Sequence, residues 1–147
     1  MAIVNVYLNF DGDCEAAFKF YSTVFGCEIS HISHFGDMPP HEGMAPMTDE
    51  MKKKVMHVSI QISPETALMG SDVGGEWAPT FRQGNNFSIS ISAQTKDEAD
   101  RLFAALAEGG QITMPLSSTF WGDYFGMLTD RFGINWMMSF NEAQAKG

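Results

Sequence analysis

Two stretches of this chain carry the same apolar stripe at a fixed spacing. Asp11 to Gly26 (DGDCEAAFKFYSTVFG) sets Ala17, Phe20, Tyr21, Val24 and Phe25 along one side of a helix, and Thr95 to Gly110 (TKDEADRLFAALAEGG) does so with Ala99, Leu102, Phe103 and Leu106. Ala99 follows Ala17 by 82 residues, and the same spacing separates Leu102 from Phe20, Phe103 from Tyr21 and Leu106 from Val24. Each helix follows an alternating, strand-like run, stops at glycine and leads into further short strand-like runs. The chain therefore reads as a β-α-β-β-β unit written twice. The expected fold is α+β, two βαβββ modules of curved mixed sheet related by a pseudo-two-fold axis, with a ligand site between the halves.

At 147 residues the chain fits one domain, 1–147, divided into a first module over 1–72, a linker over 73–86 and a second module over 87–140. Its 44% hydrophobic and 18% charged content is that of an ordinary globular protein. A formal net charge of −9 argues against a nucleic-acid partner, because phosphate contacts need a basic face. Cys14 and Cys27 flank the first helix, about 20 Å apart at the helical rise and beyond disulfide reach. Free thiols suit a reducing compartment. The start of the chain has no basic and apolar leader pattern, and no apolar run is long enough to span a bilayer, so a cytoplasmic location and no membrane partner are expected.

Ile3 to Phe10 alternates, with Val4, Val6, Leu8 and Phe10 opposite Asn5, Tyr7 and Asn9. Asp11 or Asp13 is placed to cap the helix that follows, and Gly26 to stop it. Cys27 to Phe35 reads as a strand. Gly36 to Lys54 is a long loop, with a short helical turn near Thr48 to Lys53. Val55 to Ile62 alternates again, with Met56, Val58, Ile60 and Ile62 opposite Val55, His57, Ser59 and Gln61, and Thr66 to Ser71 is a short strand ending at Asp72. The second unit opens with Phe87 to Ala93, where Phe87, Ile89 and Ile91 lie opposite Ser88, Ser90 and Ser92. Its helix carries a capping box of Thr95 and Glu98. Strands follow at Gln111 to Ser117, Tyr124 to Thr129 and Ile134 to Phe140, with a turn at Asp130 to Gly133.

One face of these strands is apolar and suits cover by the two helices. The other holds Asn5, Asn9, Ser59, Gln61, Ser88, Ser90, Ser92, Asn135 and Ser139, and burying each without a partner would cost about 1–3 kcal/mol. That face is therefore wet or turned to a ligand. Tyr7 and Met137 interrupt it as pocket walls do, which favours a polar cup over a plain exposed sheet.

Several segments together resemble the vicinal oxygen chelate superfamily of glyoxalases, bleomycin-resistance proteins and extradiol dioxygenases, and within it the PhnB-like branch. They are Tyr7-Leu8-Asn9-Phe10-Asp11-Gly12-Asp13-Cys14-Glu15, Phe20-Tyr21 with Val24-Phe25-Gly26, Phe35-Gly36-Asp37-Met38-Pro39, Gly70-Ser71-Asp72, Phe120-Trp121-Gly122, and Asp130-Arg131-Phe132-Gly133 with Trp136. The resemblance covers nearly the whole chain. It implies the glyoxalase/bleomycin resistance-like fold around a cup-shaped cavity, and a homodimer. Arg131 stands where the branch commonly has proline, which implies a change in turn stiffness alone. In metal-dependent members His and Glu ligands project from the first and last strands of each half. The matching positions here are Asn5 or Tyr7, Gly70 to Asp72, Asn86 or Ser88, and Met137, and only Asp72 is a good hard-cation ligand.

His57 is the one histidine on a clear strand and lies on the polar face, where it can bind a metal, act as a general base or donate to an anion, or simply pair across the sheet. Asp72 is its best available partner. His31, His34 and His41 with Met38, Met44, Met47 and Met51 form a soft-donor group around the long loop, which suits either Cu(I) or, more simply, an apolar lid. Phe120, Trp121, Tyr124 and Phe125 make an aromatic knot that either packs at a junction or walls a cavity; Trp77 and Phe81 could reach over in the same way. Neither cysteine has an activating neighbour. No phosphate loop, dinucleotide fingerprint or nucleophile elbow is present, so the methyltransferase label borne by some relatives finds no cofactor motif.

The function expected is therefore binding of a small organic ligand by Asn5, Tyr7, His57, Ser59, Asp72, Ser88, Ser90, Trp121 and Met137, with no cofactor and without the usual superfamily metal site. The alternative is an enzyme, of divalent-metal lyase, isomerase or dioxygenase type or a metal-free acid–base catalyst, using an atypical His57/Asp72 site with His57 as the catalytic candidate.

Overall fold

The computed structural model describes residues 2–39, 43, 46–74 and 79–142. The chain divides into two compact units, Met1–Arg82 and Gln83–Gly147. The first contains β1 (Val6–Phe10), α1 (Cys14–Phe25), β2 (Ile29–His34), a 3₁₀ turn (Phe35–Asp37), α2 (Asp49–Lys53), β3 (Val55–Ser63) and β4 (Thr66–Asp72). The second contains β5 (Ile89–Ser92), α3 (Lys96–Ala107), β6 (Gln111–Ser118), β7 (Asp123–Thr129) and β8 (Asn135–Asn141). The strand orders are β1-β4-β3-β2 and β5-β8-β7-β6. In both sheets the first strand runs parallel to the last, and the remaining pairs are antiparallel. The two units thus share one topology, and both sheets are open, which makes the fold α+β. No helix among the described residues is long and apolar enough to cross a membrane.

In the first unit α1 lies over Leu8, Phe10, Val58, Ile60 and Leu68, all buried. Phe18 meets Phe10 and Tyr21 edge-on, at 6.3 and 5.7 Å between ring centres, the geometry that brings a ring's positive edge to its neighbour's negative face. Gly70 makes the seat for Phe18, since a Cβ there would stand 2.7 Å from the Phe18 ring. This seat changes the expected stripe. Phe18 is buried and Phe20 only half-buried, whereas in α3 the stripe of Ala99, Leu102, Phe103 and Leu106 is buried as expected. Phe103 has its own niche beneath it at Gly126. Leu128, Ile134, Trp136, Met138 and Phe140 complete the second core.

Helix ends show where local reading falls short. Asp13 stands at the N-cap of α1 yet makes no side-chain capping bond. Gly26 takes the left-handed conformation at φ 65°, and its N–H and that of Cys27 reach Thr23 O and Ser22 O, closing the helix as expected. Thr95 accepts from Glu98 N at 3.0 Å, but the Glu98 carboxylate reaches Gln94 N rather than the cap itself. At the far end of α3, Arg131 Nε donates to Glu108 O at 3.1 Å. A cation on the free carbonyls of a helix C-terminus is stabilising, so Arg131 anchors the helix as well as shaping its own turn. β1 begins at Val6 rather than Ile3, because its pairing with β4 starts at Leu68; Ile3 and Val4 are exposed.

Tyr124 on β7 donates its hydroxyl to Asp100 on α3, with the Lys96 ammonium 4.9 Å from its ring centre. The hydrogen bond to this carboxylate pushes the phenol up to about 12, with burial a smaller cause. Tyr124 therefore stays protonated in the folded chain over a range where the unfolded phenol has ionised. Its contribution is present below about pH 10 and disappears as the pH rises towards 12. We expect the Tyr124 Cζ resonance to titrate near pH 12, and Asp100→Ala to return it to the ordinary tyrosine range; an unmoved midpoint in that variant would refute this account.

Candidate functional site

Alternation along β1 and β3 sets up the open face of the first sheet. Leu8 and Phe10 go under α1, so Tyr7 and Asn9 face away; Val58 and Ile60 go under, so His57 and Ser59 face away. The register lines up Tyr7 with Met69, Met69 with Ser59 and Ser59 with His31, one row across four strands. Tyr7 Oη reaches over β4 to within 3.3 Å of His57 Nδ1. The His57 ring lies 5.7 Å from those of both Tyr7 and His31. Tyr7 is 43% exposed and His31 is exposed, so these groups meet solvent.

Strict alternation would put Val55 on this face with His57, but Val55 is buried. The pairs Ser33↔His57 and His34↔Val55 leave Met56 as an extra residue on β3, and this bulge turns Val55 inward.

Asp72 does not join the open face. It shares the helix-covered side with Leu68 and Gly70 and is 3% exposed. Oδ1 accepts from Gly12 N at 2.8 Å and Cys14 N at 3.1 Å, and Oδ2 from Val55 N at 2.9 Å. Cys14 opens α1, so this carboxylate supplies from afar the cap that Asp13 does not. The expected His57/Asp72 pair is not formed: the two side chains leave opposite sides of the sheet. Asp72 is a structural clamp, and no ligand or catalytic role remains for it.

The positions that the resemblance assigns to metal ligands do not fit a metal. Asp72 has both oxygens committed to the backbone, Met137 offers a thioether, Ser88 a neutral hydroxyl, and the Tyr7 phenol is engaged with His57.

Of the other expected residues, Asn5 and Ser88 precede their strands and are exposed. In the second unit Ser90 pairs with Met137, Met137 with Met127 and Met127 with Met114, a row of three half-buried methionines on the side away from α3. Ser92, Ser139, Phe125 and Ser117 form the next row. Trp121 is 52% exposed in the β6–β7 connection, edge-on to Phe120 at 5.0 Å and near Phe125 at 6.2 Å. Phe120, at 97% exposure, is not buried within its own unit.

The histidine group around the long loop separates. His34 Nε2 meets Glu15 Oε1 at 2.6 Å, and its backbone N–H donates to Asp37. The His34 hydrogen bond, with a second one from Lys19, holds the Glu15 carboxyl below its usual range. His31 instead joins the open face, a membership that its place on β2 could have signalled. His41, Met44 and Trp77 lie outside the described residues. Both cysteines are free, and burial pushes each thiol up, which leaves them poor nucleophiles.

The duplicated topology and its covered and open faces define a family. The chain belongs to the glyoxalase/bleomycin resistance protein/dioxygenase superfamily, whose model matches residues 3–138. Protein YjdN of Escherichia coli (strain K12) is 29% identical over 138 residues, covering 90% of this chain and 91% of that protein. Protein PA1353 from Pseudomonas aeruginosa has a solved structure 38% identical to this chain, with a TM-score of 0.79 over 96% of this chain and 98% of that one. A Bacillus cereus structure described as a putative 3-demethylubiquinone-9 3-methyltransferase, PhnB protein, is 27% identical with a TM-score of 0.70, over 93% of this chain and 98% of its own.

Proposed function

We propose that this protein binds a small amphipathic organic molecule on the open face of its first sheet, without the superfamily's usual metal site. The observation that carries the reading is the Tyr7–His57 pair, a phenol and an imidazole held 3.3 Å apart on an accessible face beside Ser59 and Met69. Each group can donate or accept a hydrogen bond, so the pair suits a carbonyl, carboxylate or hydroxyl, while the rings and the Met69 thioether suit an apolar skeleton. The methionine row and Phe125 of the second unit offer a similar adaptable surface, with hydroxyls beside it. The reading includes a homodimer in the cytoplasm, and a sedimenting species of twice the chain mass checks the dimer. Methyl transfer belongs to the name of the Bacillus cereus protein, and no residue of this site supports it here.

Anilinonaphthalene sulfonate, an amphipathic aromatic anion, tests the face. Its fluorescence is expected to rise to saturation on the full chain. Tyr7→Phe and His57→Ala should each weaken binding about fivefold, the loss of one hydrogen bond of about 1 kcal/mol. Saturable binding that is the same in both variants, or none at all, would overturn the reading.

A further inference from the structure

We propose that His31 and His57 form a two-imidazole site for a borderline divalent transition cation of the copper(II), nickel(II) or zinc(II) class, with Tyr7 as its positioning residue. The site shares His57 with the proposed ligand face but rests on His31, which that face does not require. His31 on β2 pairs with Ser59 and His57 on β3 pairs with Ser33, which makes the two histidines diagonal neighbours on one face. Their ring centres lie 5.7 Å apart at an interplanar angle of 41°. An imidazole nitrogen sits about 2.0–2.1 Å from such a cation, so two rings that share one ion have centres about 4.5 Å apart at a right angle and about 6.4 Å apart when opposed. The observed separation falls within that span.

Tyr7 completes the arrangement. A histidine that binds a metal through one ring nitrogen donates its other N–H to an oxygen, and this fixes both tautomer and ring direction. With Nδ1–H donating to Tyr7 Oη, the His57 Nε2 lone pair is left for the ion. Neutral imidazoles select borderline cations over hard ones, and the open face leaves the remaining coordination positions to water or to oxygens of a bound molecule. No third His, Cys, Asp or Glu converges there among the described residues, so the pair alone sets the affinity. The site stands on β2 and β3, whereas the resemblance places the superfamily's ligands on the first and last strands of each half.

Copper(II) chloride titrated into the full chain, after metal removal on a chelating resin, gives the test by electron paramagnetic resonance. One tight equivalent with two imidazole nitrogens is expected. His31→Asn and His57→Asn should each weaken it at least about tenfold and leave one nitrogen, and Tyr7→Phe should weaken it about tenfold while keeping both. His34→Asn, whose imidazole is engaged by Glu15, should leave it unchanged. His31 is exposed, so its variant remains folded. A site of undiminished affinity in both the His31 and His57 variants, or an unmodified chain that binds no more tightly than the double variant, would overturn the proposal. Anilinonaphthalene sulfonate binding separates the two readings: His31→Asn should keep the dye while it loses tight copper, whereas an unmodified chain that binds copper but no dye would overturn the ligand face alone.

Discussion

Replacing Asp72 with alanine is expected to destabilise the protein by about 3–5 kcal/mol, since each buried donor left without its acceptor costs about 1–3 kcal/mol. One side chain serves three backbone N–H groups, from Gly12 and Cys14 at the start of α1 and from Val55 at the entry to β3. Its loss leaves all three buried or half-buried donors without their acceptor, while no apolar contact replaces them. The C-terminal end of β4 is then untied from the start of α1 and from the entry to β3. Asp72→Asn should fall between: its Oδ1 can still accept from Gly12 and Cys14, but an Nδ2–H₂ would face the Val55 N–H, donor against donor. Urea unfolding of the three proteins measures the order. Near-equal midpoints would mean that the clamp contributes nothing.

Gly110→Ala is expected to lower stability by about 3 kcal/mol, at the upper end of what overpacking costs. An added Cβ would meet the Thr129 carbonyl oxygen and come within 2.8 Å of Asp130 C and 2.9 Å of its Cα. These are backbone atoms at the end of β7 and in the turn that follows it, and they cannot rotate away. They also carry the Asp130 carboxylate, which holds Phe132 N, Ile134 N and Trp136 Nε1 at 2.8, 3.1 and 2.9 Å. Displacement should therefore be read by the buried Trp136 as a red-shifted emission together with a lower unfolding midpoint. Gly84→Ala is the control: only an Asn86 side-chain atom 3.7 Å away approaches it, so a change within about 0.5 kcal/mol is expected. Equal losses at the two glycines would refute the packing argument.

The repeat in the sequence carries the fold because topology is encoded in the order of strand-like and helix-like periods. The two units accordingly show the same strand order. Tyr7, His57 and Ser59 are legible as one face because their neighbours Leu8, Val58 and Ile60 alternate with them on regular ladders. Alternation fails at Met56, where a bulge adds a residue that no period announces. Phe18 replaces Phe20 in the core because of a seat at Gly70, a contact across 52 positions of chain. Asp72 reads as a candidate ligand for the same reason: the N–H groups it holds lie up to 60 residues away in sequence, and only the folded register brings them to it. His31 groups with His34 and His41 along the chain, yet pairing with Ser59 carries it to a different neighbourhood.

The parallel pairing of first and last strands also orders events in time. β1 leaves the ribosome well before β4, its partner strand among the described residues, so Val6 to Phe10 must wait for Leu68 to Asp72 before this ladder can close. At about 5–20 residues per second that wait lasts several seconds, during which Leu8 and Phe10 have no sheet to enter. β5 waits for β8 in the same way. Closing a loop over such separations costs chain entropy, which slows the formation of each parallel pair. Tyr7 and His57 first meet at that step, so the face proposed to bind a ligand is complete only with the final strand of the first unit.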